Sequence, residues 1–319
     1  MMINIRKEVV AAEGRIRPFI RETPLHHSLY LSKLGSCEAY LKLENLQYTG
    51  SFKARGALNK LLSLSTPERR AGVVAASTGN HGLAVAYGAR KLGINATIYL
   101  PENASPQKVQ TLHNYEVEIR FYGNDCEATE SHARAEARKT GQIYLSPYND
   151  PKVVGGQGTI GLEILRQYES VDSIMVSVGG GGLIGGIAGY VKGLRGDVEI
   201  IGCLPENSPV MYESVRAGRI VDSVVSPTLS DGTAGGIEAG AITFEPCRRY
   251  VDDWVLVSEN EILDGMKLVF DHERFVIEGA AGVVAASFLK IKETLKKRNV
   301  ILVMCGGNID IEKFKKLVF

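Results

Sequence analysis

The chain has 319 residues, 45% hydrophobic and 23% charged, with a formal net charge of +1, so bulk electrostatics give no case for a nucleic-acid partner. No apolar run approaches membrane-spanning length, and Met1 to Arg6 lacks the apolar core of a secretion signal. Cys37, Cys126, Cys203, Cys247 and Cys305 are scattered and form no C-x-x-C pair, so neither a disulfide framework nor a thiolate metal site is suggested and a cytoplasmic location with reduced thiols is the default.

Along the chain, short apolar runs alternate with amphipathic helical patterns. Strands are expected at Ala39–Leu43, Gly72–Ser77, Ala96–Leu100, Glu118–Tyr122, Gln142–Leu145, Ser173–Val178, Glu199–Leu204, Trp254–Val257 and Val300–Met304. Helical patterns between them include Gly82–Leu92, Pro106–Asn114, Glu127–Lys139, Thr159–Tyr168 and Pro209–Ala217. This alternation predicts an α/β fold with parallel sheets flanked by helices. Runs such as Val73-Val74-Ala75-Ala76 lack period-2 alternation, as strands buried on both faces do. The turn-rich segments Gln47–Gly50 and Pro147–Pro151 bracket a compact unit, giving a small lobe over 47–147 and a larger lobe from 1–46 plus 148–319. Lys296-Lys297-Arg298 and Lys315-Lys316 read as solvated helix ends.

Four motifs carry chemistry. In Ser51-Phe52-Lys53-Ala54-Arg55-Gly56-Ala57 one lysine opens a helix among small and aromatic neighbours. A partly desolvated amine has a lowered pKa and becomes a nucleophile for carbonyl carbon, whereas a solvated lysine opening a helix does nothing. In Ala76-Ser77-Thr78-Gly79-Asn80-His81-Gly82 a buried strand ends and a helix begins. Ser77 and Thr78 are placed to cap that helix and to offer hydroxyls and N–H groups to a carboxylate, and Asn80 can donate its amide to a phenolate-like oxygen. A histidine in a capped first turn, as at His81, is more often structural than catalytic.

The third motif is Val178-Gly179-Gly180-Gly181-Gly182-Leu183, after a strand and before a helix. Bare backbone at a helix start presents several N–H donors and the positive dipole end to one anion, a phosphate monoester being the natural guest. Tight helix–sheet packing is the structural alternative. A dinucleotide site is the rival ligand reading, since Gly180 to Gly185 fits G-x-G-x-x-G and Glu206 lies near the end of the next strand. The fourth, Cys305-Gly306-Gly307-Asn308, follows the last strand, where Cys305 faces the cleft at the strand ends and can bond a ring nitrogen weakly or act as a small buried hydrophobe.

In this order the four motifs resemble the fold-type II pyridoxal-phosphate enzymes, and most nearly the threonine dehydratase (threonine ammonia-lyase) and serine racemase group. Glu22-Thr23-Pro24-Leu25, Leu43–Gln47, Thr228–Gly232 and Glu278–Gly282 extend the likeness over nearly the whole chain. The resemblance implies a two-lobed, tryptophan synthase β-like fold with pyridoxal 5'-phosphate in the interlobe cleft. It implies that Lys53 holds the cofactor as a Schiff base and shuttles the Cα proton, and that Phe52 packs on its ring. Asn80 bonds the 3′ oxygen, Gly179, Gly180, Gly181, Gly182 and Leu183 hold the phosphate, and Cys305 faces the pyridine nitrogen. Ser77, Thr78, Gly79, Asn80 and His81 grip the substrate carboxylate. The implied reaction is α,β-elimination from L-threonine or a related β-hydroxy amino acid, giving a 2-oxo acid and ammonia, by a homodimer.

Departures from the group's pattern refine this. Thr78 stands where its racemases carry an acid/base serine, so elimination is expected over racemisation. Leu204 and Val210 replace acidic ligands of the group's divalent-cation site, so no metal is expected. The chain ends soon after Asp310, which points to a catabolic single-module enzyme. Glu278-Gly279-Ala280 departs from the usual E-P-x-G-A form, keeping hydroxyectoine-derived and hydroxyaspartate-type substrates in view. A nicotinamide oxidoreductase and a non-catalytic cofactor carrier are the readings of other classes.

Overall fold

The structure is a computed structural model that describes residues 3–318. Its strands, in chain order, are β1 (Leu25–His27), β2 (Glu38–Leu43), β3 (Val73–Ala76), β4 (Ala96–Leu100), β5 (Glu118–Phe121), β6 (Ile143–Tyr144), β7 (Ser173–Ser177), β8 (Glu199–Pro205), β9 (Asp253–Val257) and β10 (Asn299–Met304). Up to β6 the helices are α1 (Ile5–Ile16), α2 (Leu29–Gly35), α3 (Lys53–Leu62), α4 (Thr66–Ala71), α5 (Asn80–Leu92), α6 (Pro106–His113) and α7 (Cys126–Thr140). Then come α8 (Pro151–Gln167), α9 (Gly182–Lys192), α10 (Val210–Ala217), α11 (Phe244–Tyr250), α12 (Glu259–Glu273), α13 (Gly279–Ile291) and α14 (Ile311–Val318).

Two sheets form, with orders β1-β2-β10-β7-β8-β9 and β5-β4-β3-β6. Every pairing is parallel except β1 with β2. The α/β, parallel-dominated architecture expected from the alternation is present. β10 sits mid-sheet and its residues from Val300 on are buried, which is why its sequence is an unbroken apolar run. β5 is an edge strand, mostly exposed, and its outward charges Glu118 and Arg120 pair with each other at 2.8 Å.

Several element boundaries differ from the sequence expectation. β3 ends at Ala76 and starts after Gly72, whose φ of +87° takes the backbone off the strand. The helix expected from Thr159 starts at Pro151, because the Asp150 carboxylate accepts from the Lys152 and Val153 amides at 2.7 and 3.3 Å. β1, α12 and α13 are further elements. α12 opens with a capping box in which Ser258 and Glu261 satisfy each other's amides.

One buried ionic cluster ties the start of α3 to the six-stranded sheet. Arg55 donates to Glu44 (2.8 Å from both Nε and Nη2) and to Glu163 (2.7 and 2.9 Å), and Lys42 reaches Glu163 at 2.6 Å; these side chains are buried. Glu44 follows β2, Lys42 lies on it, and Glu163 projects from α8. Arg17 adds a partly exposed contact to Glu163 at 2.6 Å. The cluster therefore fixes the helix that begins at Lys53.

Candidate active site

Lys53 is the first residue of α3, and Phe52 is its N-cap. The lysine is half-buried, its Nζ donates to the Pro147 carbonyl at 3.1 Å, and it stands 5.1 Å from the Phe52 ring centroid. Loss of hydration lowers its pKa to about 8, against the opposing pull of Cys305 and Glu278. The amine is thus partly neutral near neutral pH, as a nucleophile or a base requires. The Phe52 amide donates to the Cys305 carbonyl at 3.0 Å and Ser51 bridges Gly306, so the lysine turn is sewn to the end of β10.

The glycine turn follows β7 and opens α9. Gly181, at φ +81°, is the N-cap, and no side chain caps the helix. Among the described residues no protein acceptor meets the amides of Gly179, Gly180, Gly181, Gly182 or Leu183. Their carbonyls are held from behind instead: Thr243 donates to Gly180 O at 2.6 Å and Cys247 to Gly181 O at 3.8 Å. Consecutive unmatched amides on a rigid turn make an anion cradle. Packing needs glycine here too, since a Cβ on Gly180 would stand 2.5 Å from the Tyr148 ring and one on Gly179 2.9 Å from Thr233 Cα. Tyr148 joins the two halves of the site: it covers the glycine turn, and its neighbour Pro147 accepts from Lys53. A phosphate-bearing aldehyde fits this donor set, the amine taking the carbonyl and the turn the phosphate.

The 77–81 loop lies at the end of β3. Ser77 Oγ accepts from the Gly79 amide at 3.1 Å, so neither Ser77 nor Thr78 caps α5; Gly79 is the N-cap, without a side-chain bond. This corrects the capping expectation: the serine tightens the loop before the helix, and the amides of Asn80 and His81 have no protein acceptor among the described residues. Ser77, Thr78, Gly79 and Asn80 are half-buried. The His81 ring is buried and donates from Nε2 to Leu145 O at 2.8 Å; burial, then Lys53, push its pKa down to about 3. The imidazole is neutral, turned to the backbone, and unsuited to proton transfer.

Cys305 is buried and accepts from Ser177 Oγ at 3.3 Å. Burial and then the Glu278 charge push its thiol up to about 12, so it stays neutral. The group that sequence reasoning missed as a site residue is Glu278, just before α13. It accepts from Asn80 Nδ2 at 2.7 Å and from the Asn308 amide at 3.1 Å. Burial raises its pKa to about 7, the two hydrogen bonds and Lys53 oppose this, and Asp231 adds to it. In the sequence it stands only as part of the Glu278–Gly282 segment that carries the resemblance, an acid before a run of small helix residues with no role assigned to it. Glu206, the acid a dinucleotide site would need, is exposed and pairs with Lys290 at 3.5 Å.

The sequence profile described as "pyridoxal-phosphate dependent enzyme" matches residues 16–306. An L-threonine ammonia-lyase of Thermotoga maritima is 40% identical over 312 residues, covering 98% of this chain and 77% of that protein. Among solved structures, the processed form of threonine deaminase isoform 2 from Solanum lycopersicum superposes with a TM-score of 0.94 at 32% identity, over 98% of this chain and 92% of that one. Maize serine racemase gives 0.92 at 30% identity, over 98% and 95%. A lysine amine of lowered pKa, a turn of unmatched glycine amides and a profile match across almost the whole length lead to one conclusion: the chain belongs to the pyridoxal-phosphate-dependent enzyme family and uses pyridoxal 5'-phosphate.

Proposed function

We propose that this chain is an ammonia-lyase that converts L-threonine, or a related β-hydroxy amino acid, to a 2-oxo acid and ammonia by α,β-elimination. The observation that carries the reading is the Pro147–Tyr148 segment, which accepts from the Lys53 amine with one residue and covers the glycine turn with the next. The cofactor, when bound, supplies a conjugated ring able to spread the negative charge left at the substrate Cα. In this reading Lys53 holds it and moves the Cα proton, which its lowered pKa suits. The amides of Gly179 to Leu183 hold the phosphate, Phe52 packs on the ring, and Asn80 bonds the ring oxygen. Cys305, whose burial keeps the thiol neutral, would stand beside the ring nitrogen and would not force a proton onto it. Ser77, Thr78, Gly79, Asn80 and His81 orient the substrate carboxylate, the last two through their main-chain amides.

The similarity to maize serine racemase supports a second reading, amino-acid racemisation. Against it stands Thr78, whose branched, rotamer-restricted hydroxyl replaces a serine acid/base. We extend the proposal to a homodimer in the cytoplasm with its small lobe over 47–147.

The test is a panel of β-hydroxy amino acids assayed for 2-oxo acid release, with chiral analysis after incubation with L-serine. A lyase gives pyruvate from serine; D-serine as main product would replace this reading with the racemase one. Lys53→Ala is expected to abolish both turnover and the borohydride-trapped cofactor adduct. A variant that retains either refutes the assignment of Lys53.

A further inference from the structure

Asn80 Oδ1 accepts from Asn308 Nδ2 at 2.7 Å, while Asn80 Nδ2 donates to Glu278 Oε1 at 2.7 Å. An amide can be turned end for end, so its orientation is known only if its partners are unambiguous. Here they trace back to main-chain atoms. Asn308 Nδ2 also donates to the Thr49 carbonyl at 2.7 Å, an acceptor that cannot flip, so that nitrogen is fixed. Its two hydrogens are then assigned, one to Thr49 O and one to Asn80 Oδ1. The far side is anchored likewise, because Glu278 Oε2 accepts from the Asn308 main-chain amide at 3.1 Å. Glu278 is buried before α13, Asn308 follows β10, and Asn80 starts α5 beside the four-stranded sheet.

We propose that Asn308 and Glu278 are positioning residues that lock the Asn80 carboxamide with its NH2 toward Glu278, leaving the second Nδ2 hydrogen for the ring oxygen of the cofactor. The inference rests on the lyase reading and adds to it a device that neither residue provides alone. Asn308 supplies the donor that only an oxygen on Asn80 can meet, and Glu278, in its ionised form, the acceptor that only a nitrogen can meet. Turning Asn80 over would set oxygen against carboxylate and NH2 against NH2, and would present an acceptor to the ring oxygen.

The experiment is a double-mutant cycle on cofactor-loaded protein with Asn308→Asp and Asn80→Ala. Asn308→Asp sets a carboxylate oxygen against Asn80 Oδ1. Its expected effect is a kcat about 10- to 100-fold lower, the scale of a misplaced contact at a reacting group, with KM changed less than about 3-fold. The pH midpoint of the bound cofactor's visible absorbance should shift, a signature that loss of packing alone does not produce. In the Asn80→Ala background Asn308→Asp should change kcat by less than about 2-fold, because it acts through Asn80. Glu278→Gln, nearly isosteric, should shift the same absorbance midpoint. An equal fall in kcat in both backgrounds, or a wild-type-like kcat and absorbance midpoint in Asn308→Asp, overturns the proposal while leaving a yellow, active wild type and the lyase reading intact. A wild type that stays colourless with pyridoxal phosphate overturns both.

Discussion

Glu163→Gln tests how the helix that starts at Lys53 is held. Two buried cations, Lys42 and Arg55, face two buried carboxylates, Glu44 and Glu163, and the glutamine would leave that set with one uncompensated positive charge. Burial by itself raises the Glu163 pKa; Arg55 and Lys42 overcome it and hold the carboxyl at about 2 against an ordinary 4.5. That difference favours the ionised form by about 3 kcal/mol, at the lower edge of the ~3–5 kcal/mol lost when one partner of a buried pair is removed. For a chain of this length it corresponds to a melting midpoint lower by about 4–5 °C. The assay is thermal and guanidinium unfolding of cofactor-free protein followed by circular dichroism. Since the carboxyl is more acidic in the folded chain, its contribution is complete above about 4.5 and lost as the pH falls toward about 2, so the gap between wild type and variant should narrow over that window. A loss below about 1 kcal/mol at pH 7, or a gap that widens on acidification, would refute the charge-balance argument.

Two further predictions concern the site. Capture of pyridoxal phosphate by cofactor-free protein, followed by visible absorbance, should accelerate with pH around a midpoint of about 8, where the Lys53 amine loses its proton. At pH 7.5 about a quarter of that amine is neutral, against about 0.1% for an ordinary lysine; a midpoint near 10 would show that the site does not desolvate it. Gly180→Ala drives a methyl into the Tyr148 ring and should weaken pyridoxal phosphate binding at least about tenfold by equilibrium dialysis, whereas an unchanged dissociation constant would detach the turn from phosphate binding.

Local signals in the sequence reached the parts of the fold and site that local chemistry encodes. β4, β7, β8 and β10 are apolar runs because both faces are covered, and they were legible as such. Lys53 and the four glycines stand out locally, as a lysine opening a helix and a side-chain-free turn after a buried strand. α13 was missed for the same physical reason that β10 was seen: its residues from Gly279 to Phe288 are all buried, so it has no polar face and no helical periodicity. β1 is three residues long with two histidines, too short and too polar to register. Glu278 and Asn308 escaped assignment because their roles lie in partners 198 and 228 residues away at Asn80, which no local pattern can reveal. The capping role expected for Ser77 and Thr78 failed by two residues and by one, because α5 takes Gly79 as its N-cap.

The contact between Lys53 and Pro147 has a mechanical consequence. The chain leaves the six-stranded sheet after β2 and rejoins it through α8 on the way to β7, and these two residues sit on the outgoing and returning connections. If the four-stranded sheet swings, those paired strands of chain are its axle. Lys53 sits on that axle, while Asn80, bonded to Glu278 before α13 and to Asn308 after β10, latches the start of α5 to the six-stranded side. Any such swing would have to break those two 2.7 Å bonds first, so the latch at Asn80 sets its cost.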